Sequence, residues 1–191
     1  MTGRGDERSA GEKRWRRRSM LLLVILLPLV AAVTARDSIE RWWNGRDRIV
    51  REIAAGDQVD FGGARWQLHA LRMAPLPAGG NIPDNAMGVV ADFRVQIQDA
   101  DLPGNWRGCT IALQDGQGRR WMPTHVLPLP RTDASECISA IYSGAKAGAT
   151  LRIRQAFLVP REAAAALRVT VSLARQQPHY LRFAQHPRLV Q

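Results

Sequence analysis

Residues 88–98, GVVADFRVQIQ, decide the fold. Val89, Ala91, Phe93, Val95 and Ile97 fall on one side of an extended chain; Asp92, Arg94, Gln96 and Gln98 fall on the other. A period of two held over eleven residues predicts a β-strand with one buried face. On its N-terminal side, Val59 and Phe61 run into Gly62-Gly63, a hairpin signal, and Arg65 to Met73 reads as the returning strand. Residues 75–87 carry three prolines, Gly79-Gly80 and Asn81, and form a loop.

On the other side, Asp99 to Asn105 turns the chain, and Cys109, Ile111 and Leu113 alternate with smaller or polar residues. Asp115-Gly116-Gln117-Gly118 is a hairpin turn into Arg119 to Met122. A loop with Pro123, Pro128 and Pro130 leads to Cys137–Tyr142. Leu151, Ile153, Phe157 and Val159 mark one further strand, Leu167, Val169, Val171 and Leu173 another, and Tyr180 to Ala184 a last. Ala163 to Ala166 is long enough for one helical turn and no more. Seven or eight short strands without βαβ alternation predict an all-β fold, a two-sheet antiparallel sandwich.

Leu113–Trp121 (LxDGxGRxW), the small stretch Ala145–Gly148, FLVP at 157–160 and LRVTV at 167–171 follow the alternating strand in order. In this the chain resembles the immunoglobulin-like β-sandwich family of small secreted bacterial antigens and membrane-anchored or lipoprotein domains of unknown function. The resemblance covers residues 59–181, and its motifs are turns and strand ends. It implies an immunoglobulin-like sandwich and carries no catalytic residue over. Asp99-Ala100-Asp101 stands where such domains often have an Asn-Lys-Ser/Thr-like turn.

Ahead of the strands lies a different composition. Met20 to Ala35 is sixteen residues without charge, preceded by the basic block Lys13-Arg14-Trp15-Arg16-Arg17-Arg18. That pairing predicts a transmembrane anchor or signal helix, N-terminus cytoplasmic and the domain extracytoplasmic. Sixteen helical residues reach about 24 Å, short of the roughly 30 Å hydrocarbon core. Pro28 and the small residues Val33-Thr34-Ala35 suit a signal cleaved after Ala35, whereas Trp42-Trp43 suits the interfacial anchor of a retained segment. The expected organisation is a basic tail at 1–19, the membrane segment at 20–35, a linker or stalk at 36–56, the sandwich at 57–185 and a C-terminal tail at 186–191.

The formal charge is +10, of which residues 1–20 contribute seven basic and three acidic side chains. Beyond Arg51 the arginines are scattered singly and alternate with apolar residues, the spacing of a solvated sheet face. A nucleic-acid surface needs basic residues clustered with stacking aromatics, so no nucleic-acid partner is expected.

Two cysteines in an exported domain are expected to pair, and a Cys109–Cys137 disulfide would close a loop of about 28 residues, worth about 3.5 kcal/mol in the chain-entropy model. Two separate buried thiols are the alternative. Tyr142 and Lys146 match YxxxK, and Ser143 with Lys146 matches SxxK. The first needs a helix and a glycine-rich dinucleotide loop, the second needs companion motifs, and the sequence has neither. His69, His125, His179 and His186 lack metal-ligand spacing. No catalytic residue, metal or cofactor is therefore assigned. Trp66, Trp106 and Trp121 suit the core, but Trp106-Arg107 on a turn also suits an interface anchor and is the candidate interaction surface. The function expected is a non-enzymatic, membrane-tethered interaction module with an envelope protein as partner. The alternatives are a structural accessory subunit of an envelope or transport complex and, further off, a secreted enzyme.

Overall fold

The computed structural model describes residues 6–44, 47, 49–76, 82–127 and 133–190, with helix side chains described at 15–33 and 36. The chain divides into two compact units, 1–45 and 46–191.

The first unit is one helix, α1 (Asp6–Asn44), of 39 residues. It continues through Pro28. A mid-helix proline removes one backbone hydrogen bond, and the turns on either side hold the helix together despite that loss. The described apolar side chains from Met20 to Val33 number fourteen, about 21 Å of helix against roughly 30 Å of hydrocarbon. Arg16, Arg17 and Arg18 precede them, with Ser19 between. Among the described residues no helix is long and apolar enough to cross a membrane. This corrects the expectation of a single-pass anchor through residues 20–35 with the domain on the far side. The side chains of Thr34, Ala35, Trp42 and Trp43 lie outside the described residues, and with them the cleavage site and the aromatic anchor.

The second unit is a sandwich with ten strands among its described residues, where seven or eight were expected: β1 (Ile49–Ile53), β2 (Gln58–Phe61), β3 (Ala64–Pro75), β4 (Ala86–Ile97), β5 (Thr110–Gln114), β6 (Arg120–Trp121), β7 (Thr150–Pro160), β8 (Arg168–Ser172), β9 (His179–Phe183) and β10 (Arg188–Leu189). One sheet has the order β1-β9-β8-β5-β6. The other has β10-β3-β4-β7, with β2 also paired to β3. Pairing is antiparallel except at two edges, where β1 runs parallel to β9 and β10 parallel to β3. β1 occupies part of the expected linker and β10 part of the expected tail. Short helices α2 (Leu102–Asn105), α3 (Cys137–Ala140) and α4 (Arg161–Ala164) fill the connections.

Alternation along β4 fills the core: Val89, Ala91, Phe93, Val95 and Ile97 are all buried. They meet Ile111, Leu113, Val169, Val171, Leu181 and Phe183 of the facing sheet, the aligned layering a sandwich requires. Aromatic rings chain through it, Trp106 to Trp66 at 4.8 Å between centroids, Trp66 to Phe93 at 5.9 Å, and Phe93 to Phe183 at 5.5 Å. The β2–β3 hairpin turns on Gly62 and Gly63, both at positive φ (60° and 71°), as a two-residue hairpin demands. A Cβ on Gly62 would come within 2.2 Å of Leu173 Cδ1.

Candidate interaction surface

Trp106 is not on the surface. It is fully buried, its Nε1–H donates to the Gly62 carbonyl at 2.9 Å, and its ring lies against Trp66. This corrects the expected Trp106-Arg107 contact site: the indole finds both apolar cover and a hydrogen-bond acceptor inside. Arg107 alone is exposed. The segment around it is tied down by carboxylates. Asp101 caps α2 by accepting from the Gly104 N–H at 3.1 Å. Asp99 accepts from the Asp101 N–H and from Asn105 Nδ2. Those two contacts, the backbone one first, hold its carboxyl below the usual carboxylate range.

Cys109 and Cys137 form a disulfide with 6.0 Å between Cα atoms, and both residues are buried. The bridge ties the first residue of α3 to the residue before β5. Three backbone contacts fix the rest of the segment that leads there. Thr124 N–H donates to Ala156 O (2.8 Å), Ser135 N–H to Arg152 O (2.9 Å), and Arg154 N–H to Ser135 O (2.9 Å), all on the edge of β7. His125 Nδ1 lies 3.1 Å from Glu136 Oε1, which ties the two ends of this segment across residues 128–132, themselves outside the described ones.

On α3 and the turn after it, Cys137, Ala140 and Ile141 face inward. Ile138 and Tyr142, one helical turn apart, face out and are 63% and 80% exposed. Met122 and Val126, on the same tied segment, are 57% and 55% exposed. Ile138 and Tyr142 are thus two large apolar side chains held out on an anchored helical turn, where water covers them poorly. Sequence reasoning passed over them. The signal was present, because Ile138 and Tyr142 are out of phase with the inward set at 137, 140 and 141.

The YxxxK and SxxK matches dissolve at the same place. Gly144 sits at φ 67° and ends the helical turn, so Tyr142 and Lys146 do not stack on successive turns. Ser143 Oγ instead accepts the Ala145 N–H at 3.3 Å. The histidines are distributed over β3 (His69), the loop after β6 (His125), the start of β9 (His179) and the segment after β9 (His186). Among the described residues no group of three or more His, Cys, Asp or Glu could hold a metal ion.

The turn from β5 to β6 shows how tightly such a loop can be held. Asp115 Oδ1 accepts from the N–H groups of Gln117 and Arg119, and Oδ2 from Arg119 Nε at 2.7 Å. Burial pushes its pKa up, but the Arg119 and Gln117 hydrogen bonds outweigh it and the net direction is down.

No known family profile matches the chain, and no curated protein does either. Among solved structures the chain is similar to an uncharacterised β-sandwich protein from Clostridium difficile 630, at 9% identity and a TM-score of 0.41, over 72% of this chain and 95% of that one. The sandwich described above rests on this chain's own strand pairing.

Proposed function

We propose that this chain is a protein-interaction module of immunoglobulin-like fold that works by binding rather than by catalysis, with α3 and the loop before it as the contact. Strand order supports the fold: β3-β4-β7 faces β9-β8-β5-β6, the order in which an immunoglobulin-type chain sets strands A, B and E against G, F, C and C′. β1, β2 and β10 are additions at the edges. The observation that carries the functional reading is the outward pair Ile138 and Tyr142 on a helix pinned by the disulfide. An anchored apolar pair loses little conformational freedom on docking, which favours binding. Replacing Tyr142 with a photoreactive residue in the full chain, in the cells that make it, tests this. A discrete adduct that Ile138→Asp abolishes is expected. Adducts no different from those at position 161 would count against it.

A further inference from the structure

The solvent-facing side of the β2–β3–β4–β7 sheet carries a feature that the loop contact does not use. Arg65, Arg72, Arg94, Arg152 and Arg154 project from three adjacent strands. Four of them have carboxylate partners. Asp92, itself buried, takes Arg72 and, at 2.5 Å, Arg154. Asp60 takes Arg65 at 2.8 Å, and Asp133 takes Arg152 at 2.8 Å. Arg94 is the exception. It stands mid-strand between Gln67 on β3 and Arg152 on β7, exposed, with no ion pair among the described residues.

Arg94 also borders a hollow of about 350 Å³, lined by Gln58, Arg65, Gln67, Arg94, Gln96 and Thr150. The lining combines two guanidiniums, three carboxamides and a hydroxyl, with no carboxylate and no large apolar group. Guanidinium forks match carboxylate and sulfate oxygens, while amides and a hydroxyl at the same level exchange hydrogen bonds with ring hydroxyls. Asp60 keeps Arg65 aligned at the rim. Its carboxyl is held below the usual range, first by the Arg65 hydrogen bond and then by Gln98.

We propose that this sheet face binds an acidic saccharide, whose carboxylate or sulfate sits on Arg94, beside the Asp60-paired Arg65, and whose hydroxyls meet the Gln and Thr side chains. The anion supplies the countercharge that Arg94 lacks.

Affinities of the full chain for oligogalacturonate, dextran sulfate and neutral dextran test the proposal, the first two separating a carboxylate from a sulfate preference. Binding to at least one acidic saccharide and none to dextran is expected. Arg94→Gln should weaken it about tenfold or more, while the same charge loss at exposed Arg161 (Arg161→Gln) changes it less than about twofold. Thr150→Val, which leaves every charge in place, should weaken it severalfold. The ligand-free Arg94→Gln protein should melt no lower than the parent, because the substitution breaks no ion pair among the described residues. Absence of binding to both acidic saccharides would overturn the proposal. So would equal losses in Arg94→Gln and Arg161→Gln, or equal affinity for a thymidine homopolymer of matched charge.

Discussion

Two aromatic side chains flank the disulfide, and they have opposite fates. Trp106 lies three residues before Cys109 and is wholly buried; Tyr142 lies five after Cys137 and is 80% exposed. Both sit at the end of a single helical turn, α2 or α3. The difference is in what each turn offers its aromatic. At 102–109 the Gly62 carbonyl accepts the indole N–H and Trp66 supplies an apolar wall. At 137–142 the inward positions are filled by Cys137, Ala140 and Ile141, so Ile138 and Tyr142 are left outside. Residue type alone does not mark an interaction site. The decisive facts are which polar groups are already satisfied and which side of the turn the core has claimed.

The largest expected effect falls on the buried member. Trp106→Ala should lower stability by about 3–5 kcal/mol through lost burial and the cavity it leaves, read by denaturant unfolding. Trp106→Phe keeps most of the volume but strands the Gly62 carbonyl, and should cost about 1–3 kcal/mol. If Trp106→Ala unfolds with the parent, the indole is not the core element described here.

The bridge between the two regions comes next. Cys109→Ser should cost about 2–5 kcal/mol, and limited proteolysis of that variant should open first near residue 137. The unreduced parent should show no alkylatable thiol. Two freely alkylated thiols in the folded parent would contradict the pairing.

What the sequence made legible follows the same division. β4 could be read outright, because its inward residues alternate without a break, and the Gly62-Gly63 and Asp115–Gly118 turns announced themselves by residue type. β1 and β10 could not. They are edge strands paired in parallel, and nearly every side chain in them is exposed, so no alternation marks them. The burial of Trp106 depends on a carbonyl 44 residues away in sequence, and local pattern holds no trace of it. The outward pair at 138 and 142 was readable as a helical spacing, provided the inward set was recognised first.

A smaller effect comes from protons. The Asp99 carboxyl beside α2 and the Asp115 carboxyl in the β5–β6 turn are both held below their ordinary value. Each therefore contributes stability that is full above the unfolded-state pKa of about 3.9 and is lost as pH falls through the folded one. Between about pH 5 and pH 3 the melting temperature should fall. Asp99→Asn should fall less steeply, with a lower starting point. A parent protein whose melting temperature is flat over that interval would show that these carboxylates do not hold their turns.

The smallest effect belongs to the exposed member. Tyr142→Ser should change stability by less than about 0.5 kcal/mol, because it removes no buried contact. Its consequence should appear only in binding. The most direct measurement is therefore a paired one on the full chain: unfolding free energy, and adduct yield from a photoreactive residue at position 126, compared between the parent and Tyr142→Ser. Unchanged unfolding with the adduct lost is the expected result. An unchanged adduct, or a loss of stability comparable to that of Trp106→Ala, would contradict the assignment of this face as the contact.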